Sequence, residues 1–378
     1  MRKETPAIAK YFFVNRSSFR QEHASAYLLP NQHYSGFDGA STDFNIKSVL
    51  KAALGEHIER GGLYKNAGKI KKLKMTAFNL VKEEIVEVPT QNIIMCYFTP
   101  LLSENLKGIE DEFTDSSGVA SHVNSFDAYN NSFLEFIERQ SLIYTWLSKK
   151  QGKKIRKQDL SDNNLKTYHL CFQYINEIHL VNISITPDVY VVMILGFGND
   201  VMCVSCSADW DLQRAVSSAL KESFQYFKNK PNKFRKVVKK SYELEIKSQD
   251  RYIAEDDPHY YSKHLMDNFT PRKLKIAYKF IVESKDYQNK TYKSKCIPSS
   301  SRELSAKIKR IGIQLGINVN VCYIPMTIKN IPTKIIKIYS EDGFPHLKTD
   351  RIDPNQVKLS NNLKTRHFPN KGTMIPFP

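Results

Sequence analysis

A charged and apolar pentad recurs in this chain on two segments of helical periodicity. Glu56-His57-Ile58-Glu59-Arg60 lies within residues 48–64, and Glu135-Phe136-Ile137-Glu138-Arg139 lies late in residues 130–147. A third helical segment, 212–227, closes on Glu222-Ser223-Phe224-Gln225. Each such helix must bury an apolar stripe while carrying acid or amide groups one turn apart on another side. In the first, Val49, Leu50, Ala53, Leu54 and Ile58 form the stripe, and Glu56, Glu59 and Arg60 lie roughly opposite. In the second, the apolar face is Phe133, Leu134, Phe136, Ile137, Tyr144 and Leu147. On an ideal helix Asn131, Glu135 and Glu138 fall within about 60° of one another on the other side.

Taken singly, each segment reads as a solvated helix face, with Glu56 and Arg60 as an i, i+4 ion pair. Taken together they ask for more. Two facing helices of this kind bring four carboxylates toward one centre, where they repel one another. Divalent cations relieve that repulsion, and Mg²⁺ commonly joins protein carboxylates to nucleotide phosphates. The pattern points to a metal-nucleotide site with Glu56, Glu59, Glu135 and Glu138 as metal ligands. Asn131 and Gln225 add neutral donors and acceptors.

The 378 residues are 41% hydrophobic and 25% charged, enough for a sizeable core in one large two-lobed domain or two domains. A net charge of +17 suits an anionic partner, or reflects lysine-rich solvated faces. The six cysteines show no disulfide spacing, which places the chain in a reducing cytoplasm. Charges interrupt the first residues before a signal peptide can form, and the longest apolar run, 189–198, is too short to cross a bilayer.

Other motifs carry less. Gly62 and Gly68-Lys69 are spaced one residue too far for a phosphate loop, and Ile70 follows the lysine. Gly196-Phe197-Gly198 lacks the third glycine of a dinucleotide fingerprint. Cys203 and Cys206 have half a zinc-site spacing but face opposite ways on a strand, so no zinc is expected. The basic runs at 65–74, 149–157 and 228–240 accompany no nucleic-acid-binding motif and read as solvated faces. A basic nucleic-acid-binding protein without catalysis is the alternative of another class.

Periodicity predicts helices over 45–64, stopped at Gly61-Gly62, over 126–148, opened by 118–123, from Asp211 to 227, and over 302–315. Strands are predicted at 11–14, 84–88, 92–97, 179–186, 189–197, 201–208 and 331–339, with Pro187-Asp188 turning a hairpin.

The run Ala53-Leu54-Gly55-Glu56-His57-Ile58-Glu59-Arg60, the run Asp127-Ala128-Tyr129-Asn130-Asn131 leading to Glu135-Phe136-Ile137-Glu138-Arg139, and Glu222-Ser223-Phe224-Gln225 resemble, in order, the three ATP-binding helix motifs of the YcaO superfamily. Ile375-Pro376-Phe377-Pro378 resembles the proline-rich end of members that make azolines. Residues 138–147 are similar to the stand-alone cyclodehydratase subunit of microcin-type thiazole/oxazole synthetases. The resemblance implies an α+β fold, with mixed or antiparallel sheets and helices enclosing an ATP site. That domain would span 35–378, with 241–330 matched by position only, after an N-terminal extension at 1–34. It implies ATP and Mg²⁺ held by Glu56, Glu59, Arg60, Asn131, Glu135, Glu138, Glu222 and Gln225, and catalysis by Pro376 and Pro378.

The implied substrate is a ribosomally made precursor peptide of a bacteriocin-type antibiotic, modified in the bacterial cytoplasm. A Cys, Ser or Thr side chain attacks the preceding carbonyl, ATP phosphorylates the resulting oxyanion, and loss of phosphate leaves a thiazoline or oxazoline. A leader-binding protein (an E1-like recognition element) and an FMN-dependent azoline dehydrogenase are the implied partners in a heteromeric complex. A member that forms thioamides or amidines is the alternative within the superfamily. The chain departs from the family pattern at Ala52, where serine is usual, and at Ser218, where a cation is usual and Arg214 or Lys221 is the expected substitute. It also lacks a clear glycine-lysine-glycine turn around 36–41, and Met374 replaces a proline.

Overall fold

Three antiparallel sheets, with helices between and over them, make up the fold in a computed structural model that describes residues 10–18, 21–29, 39–67, 74–94, 114–224, 264–265, 267–288, 296–325 and 332–378. Strands β1 (Lys10–Ser18), β2 (Gln21–Leu29) and β3 (Gly39–Asp43) lead into helix α1 (Ile46–Ala67). A hairpin of β4 (Lys74–Asn79) and β5 (Glu84–Pro89) follows, then β6 (Val119–His122) and α2 (Ser125–Ser148). Next come β7 (Lys153–Lys154), α3 (Asp162–Cys171), β8 (Glu177–Asn182), β9 (Tyr190–Phe197), β10 (Met202–Asp209) and α4 (Leu212–Ser223). The last elements are α5 (Pro271–Ala277), α6 (Lys279–Val282), α7 (Ser301–Leu315), β11 (Asn320–Ile324), β12 (Lys334–Tyr339) and α8 (Lys358–Asn362).

The sheets have strand orders β1-β2-β3, β10-β9-β8-β7 and β5-β4-β11-β12-β6. Strand β2 pairs with β3, so residues 21–29 share a sheet with the start of the predicted domain. Every residue of β9 is buried, because its faces are covered from both sides. Val191, Met193, Leu195 and Phe197 pack in the core cluster of α2, while Tyr190, Val192 and Ile194 pack with Ala215, Ala219 and Leu220 of α4. Cys203 and Cys206 on β10 divide between these two clusters, as period-2 alternation requires.

Helix α2 lies between two sheets, touching β9 and β10 on one side and β6 and β12 on the other. The side chain of Asn124 caps its start by accepting from the Phe126 N–H at 2.9 Å. The six predicted apolar residues are all buried, but so are Ser132, Gln140, Ser141 and Thr145. Ser132 Oγ donates to Gly118 O at 2.7 Å and accepts from the Ile338 N–H at 3.0 Å, so its burial leaves no polar group wanting.

Several predicted boundaries move. Gly61-Gly62 does not stop α1, which runs to Ala67. Both glycines are buried, and a Cβ on Gly62 would run into Ile335 Cδ1 of β12, so this glycine serves close approach instead of termination. Residues 119–122 form β6 instead of opening α2. Thr90–Asn92 is a 3₁₀ turn where a strand was expected from 92, and 95–97 lie outside the described residues. The basic run 228–240 and all of 241–263 also lie outside them. Strands β4 and β11 and helix α3 are additions that periodicity did not disclose.

Residues 374–378 are buried throughout. Ile375 and Phe377 belong to the main core cluster. Thr349 Oγ1 accepts from the Ile375 N–H at 2.8 Å, and the Tyr278 hydroxyl donates to Pro376 O at 3.2 Å. Among the described residues no helix is long and apolar enough to cross a membrane.

Candidate active site

The three acidic helix segments converge. Helix α1 contributes Glu56 and Glu59, α2 contributes Glu135 and Glu138, and α4 contributes Glu222. The helices meet through shared strands, β6 touching both α1 and α2 and β10 touching both α2 and α4, and through short polar ties. Ser121 of β6 donates through Oγ to Gly55 O of α1 at 2.6 Å, and its backbone bonds the Glu59 carboxylate. Lys221 of α4 bonds Asp43 Oδ2 at 2.9 Å, just before α1 begins.

The electrostatics describe one shared cluster. Desolvation raises the Glu59 carboxyl well above its ordinary range, and the charges of Glu135 and Glu56 add to the shift, while Arg60 opposes it. Glu135 is pushed up to about 8 by desolvation, against Arg139, with Glu138, Asp115 and Glu56 adding repulsion. Glu138 is pushed up to about 8 by desolvation, opposed by Arg139 and reinforced by Glu222. Desolvation also takes Glu222 up to about 7, again against Arg139, with Glu56 and Glu135 raising it further. Carboxylates from three helices therefore feel one another across a common space.

Two arginines face this charge. Arg60 Nη2 lies 2.5 Å from Glu56 Oε1. Arg139 Nε lies 3.7 Å from Glu135 Oε1, and its Nη1 lies 3.4 Å from Glu138 Oε1. The Arg139 guanidinium also sits 5.1 Å over the Phe377 ring, which links the glutamates to the closing Pro376-Phe377-Pro378 residues. Pro376 and Pro378 are buried beside it. Asn131 is exposed on α2, where the Asn130 side chain donates to it at 3.4 Å. Gln225 lies outside the described residues.

The donor set fits Mg²⁺ and a polyphosphate. It is all oxygen, and desolvation, with mutual repulsion added to it, favours the protonated form of Glu59, Glu135, Glu138 and Glu222 until a cation neutralises them. Among the described residues no three His, Cys, Asp or Glu groups close on a single metal position. Mg²⁺ beside a nucleotide takes one or two carboxylates and completes its shell with phosphates and water.

Two groups escaped sequence reasoning. Lys337, on β12 and 3% exposed, donates to Asp115 O at 2.8 Å and Thr114 Oγ1 at 3.2 Å. Desolvation lowers its pKa, and Asp115, Cys322, Glu135 and Glu59 act the other way. The signal for Lys337 was a lone lysine inside Ile335-Ile336-Lys337-Ile338; Asp115, in a polar loop, gave none. Both expected substitutes for a cation at Ser218 are engaged elsewhere. Lys221 bonds Asp43, and the exposed Arg214 pairs with Asp209 at 3.2 Å.

A family model described as YcaO cyclodehydratase, ATP- and Mg²⁺-binding, matches residues 64–333. The match takes in α2 and α4 and leaves the α1 pentad and the closing residues outside. A chain of the E. coli microcin synthetase McbBCD complex matches with a TM-score of 0.65 at 16% identity, over 100% of this chain and 99% of that one. For the same complex with pro-MccB17 bound the values are 0.66, 18%, 99% and 98%. YcaO from Methanopyrus kandleri, bound with AMPPCP and Mg²⁺, matches with a TM-score of 0.66 at 14% identity, over 92% of this chain and 88% of that one. At these identities the likeness establishes the fold, which is α+β with antiparallel sheets as expected. No curated protein sequence matches the chain.

Proposed function

The chain belongs to the YcaO family, whose ligands are ATP and Mg²⁺, and from that premise we propose that it is an ATP-dependent peptide cyclodehydratase. It closes Cys, Ser or Thr side chains of a ribosomally made precursor onto the preceding backbone carbonyl, giving thiazoline or oxazoline rings. The observation that carries this reading is a shared carboxylate cluster: Glu135, Glu138 and Glu222 feel the Arg139 charge, Glu56 and Glu59 feel one another and Glu135 beside Arg60, and the Phe377 ring lies 5.1 Å from the Arg139 guanidinium.

Mg-ATP supplies phosphoryl transfer to an amide oxygen, turning a poor leaving group into a good one. The protein's own part is binding and orientation. Glu56, Glu59, Glu135 and Glu138 would hold the metal side of the nucleotide, and Glu222 would complete the carboxylate wall. Arg60 and Arg139 keep those carboxylates apart and aimed, and Asn131 and Gln225 serve as neutral contacts. The buried Pro376-Phe377-Pro378 residues border the space where the peptide carbonyl reacts. Their docking against Arg139 supports ring closure over thioamide or amidine formation. The heteromeric microcin synthetase among the matched folds supports a subunit role here, with a leader-binding protein and an FMN-dependent dehydrogenase as partners.

Glu135→Ala and Glu59→Ala test the reading with a precursor peptide that carries Cys and Ser residues. Wild-type protein in its complex removes about 18 Da per ring in an ATP-dependent reaction, and both variants lose that activity while staying folded. Undiminished ring formation in both variants would overturn the assignment, and a gain of about 16 Da, oxygen exchanged for sulfur, would identify thioamide chemistry instead.

A further inference from the structure

Lys337 is a buried charge that the helix motifs do not account for, and such a group is retained only where oriented partners offset its desolvation. Its hydrogen bonds to Asp115 O and Thr114 Oγ1 use two of its three protons. Asp115 is 2% exposed and is itself a junction. Its Oδ1 accepts from the Ser117 N–H at 2.9 Å, and its Oδ2 accepts from the Leu347 N–H at 2.8 Å. Two residues beyond Leu347, Thr349 Oγ1 donates to Thr373 O at 2.7 Å and accepts from the Ile375 N–H at 2.8 Å. A short hydrogen-bonded path thus runs from β12 to the closing residues. At its other end β12 packs against both acidic helices, on α2 through the Ile338 N–H donating to Ser132 Oγ at 3.0 Å and on α1 where Gly62 closes on Ile335, which places Lys337 in the field of Glu135 and Glu59. Residues 340–348, which carry this path, have no helix or strand of their own. Side chains fix them instead: Gln140 of α2 donates to Phe344 O at 2.9 Å and accepts from the Phe344 N–H at 2.7 Å.

We propose that Lys337 and Asp115 are a positioning pair that couples occupancy of the carboxylate site to the placement of Pro376-Phe377-Pro378. Neither residue touches the reacting atoms. Lys337 answers to the charge carried by Glu59 and Glu135, and Asp115 passes its position to Leu347 and through Thr349 to Ile375. The inference rests on reading those glutamates as the Mg-nucleotide site.

Hydrogen exchange on the full chain tests it, comparing wild type with Lys337→Met, which removes the charge, and Asp115→Asn, which puts a donor where one N–H needs an acceptor. In the nucleotide-free protein, both variants exchange the Ile375 and Phe377 amides about tenfold faster or more, as expected for local opening after loss of a buried hydrogen bond. The amides of β9 stay protected and report an intact core. Mg-AMPPCP slows exchange at Ile375 and Phe377 in wild type, and this response is absent from variants that still bind it, which a merely structural role would not produce. Wild-type exchange at these amides in both variants, or an undiminished nucleotide response, contradicts the proposal. If Lys337→Met loses β9 protection, Asp115→Asn decides. If Mg-AMPPCP does not bind wild type, the nucleotide-site reading falls, and the nucleotide-free exchange rates still decide whether the pair holds the closing residues.

Discussion

Glu135 and Glu138 hold their protons to about pH 8, against an ordinary value of 4.5 for an unfolded glutamate. Between those values the folded chain binds more protons than the unfolded one. Stability is therefore fully present below about 4.5 and is lost as the pH rises toward 8. Without metal or nucleotide, the melting temperature falls from about pH 5 to about pH 8, and Glu135→Gln flattens the fall because it removes one of the titrating groups. A wild-type melting temperature that rises steadily across this window contradicts the burial described here. At this scale much of the site was legible. Carboxylates at i and i+3 share a helix face wherever the helix goes, so Glu56/Glu59 and Glu135/Glu138 could be read from spacing alone. Lys337 and Asp115 could not, because Lys337 finds Asp115 222 positions away and neither belongs to a periodic pattern.

Helix α2 shows what periodicity gets right and where it stops. Its apolar face was correctly read, but a helix flanked by one sheet and a helix flanked by two share the same stripe. The second sheet buries residues that read as polar surface, and each then needs a partner. Ser141 Oγ donates to Ile137 O at 2.7 Å and Gln140 clasps Phe344. Phe133 is fully buried and stacks on Trp210 with ring centroids 5.7 Å apart. Phe133→Ala is expected to cost about 3–5 kcal/mol in denaturant unfolding, mainly as an unfilled cavity between the helix and β10. A loss below about 1 kcal/mol would show that the helix does not carry the core. Helix α1 teaches the complementary lesson. Paired glycines stop an isolated helix, yet here Gly62 lets α1 continue across β12, a reason visible only once Ile335 is in place. Strands β4 and β11 were missed because burial alternates along them but hydrophobicity does not: Ala77, Asn79, Asn320 and Cys322 face inward while Phe78 and Tyr323 are exposed.

Across the whole molecule, three helices far apart in sequence meet at one carboxylate wall, and the last residues return to it. Two connections hold them there, Arg139 against the Phe377 ring and the Lys337–Asp115–Thr349 path. The family match covers the middle of the chain, so α1 and the closing residues join the site through geometry. Binding of Mg-AMPPCP to the full chain, measured by titration calorimetry, tests that convergence most directly. The account predicts that wild type binds the analogue only when Mg²⁺ is present. Glu59→Ala from α1 and Glu135→Ala from α2 each lose that binding with their folds intact, because one shared site needs both helices. Retained wild-type affinity in either folded variant, or binding that is indifferent to Mg²⁺, would contradict it.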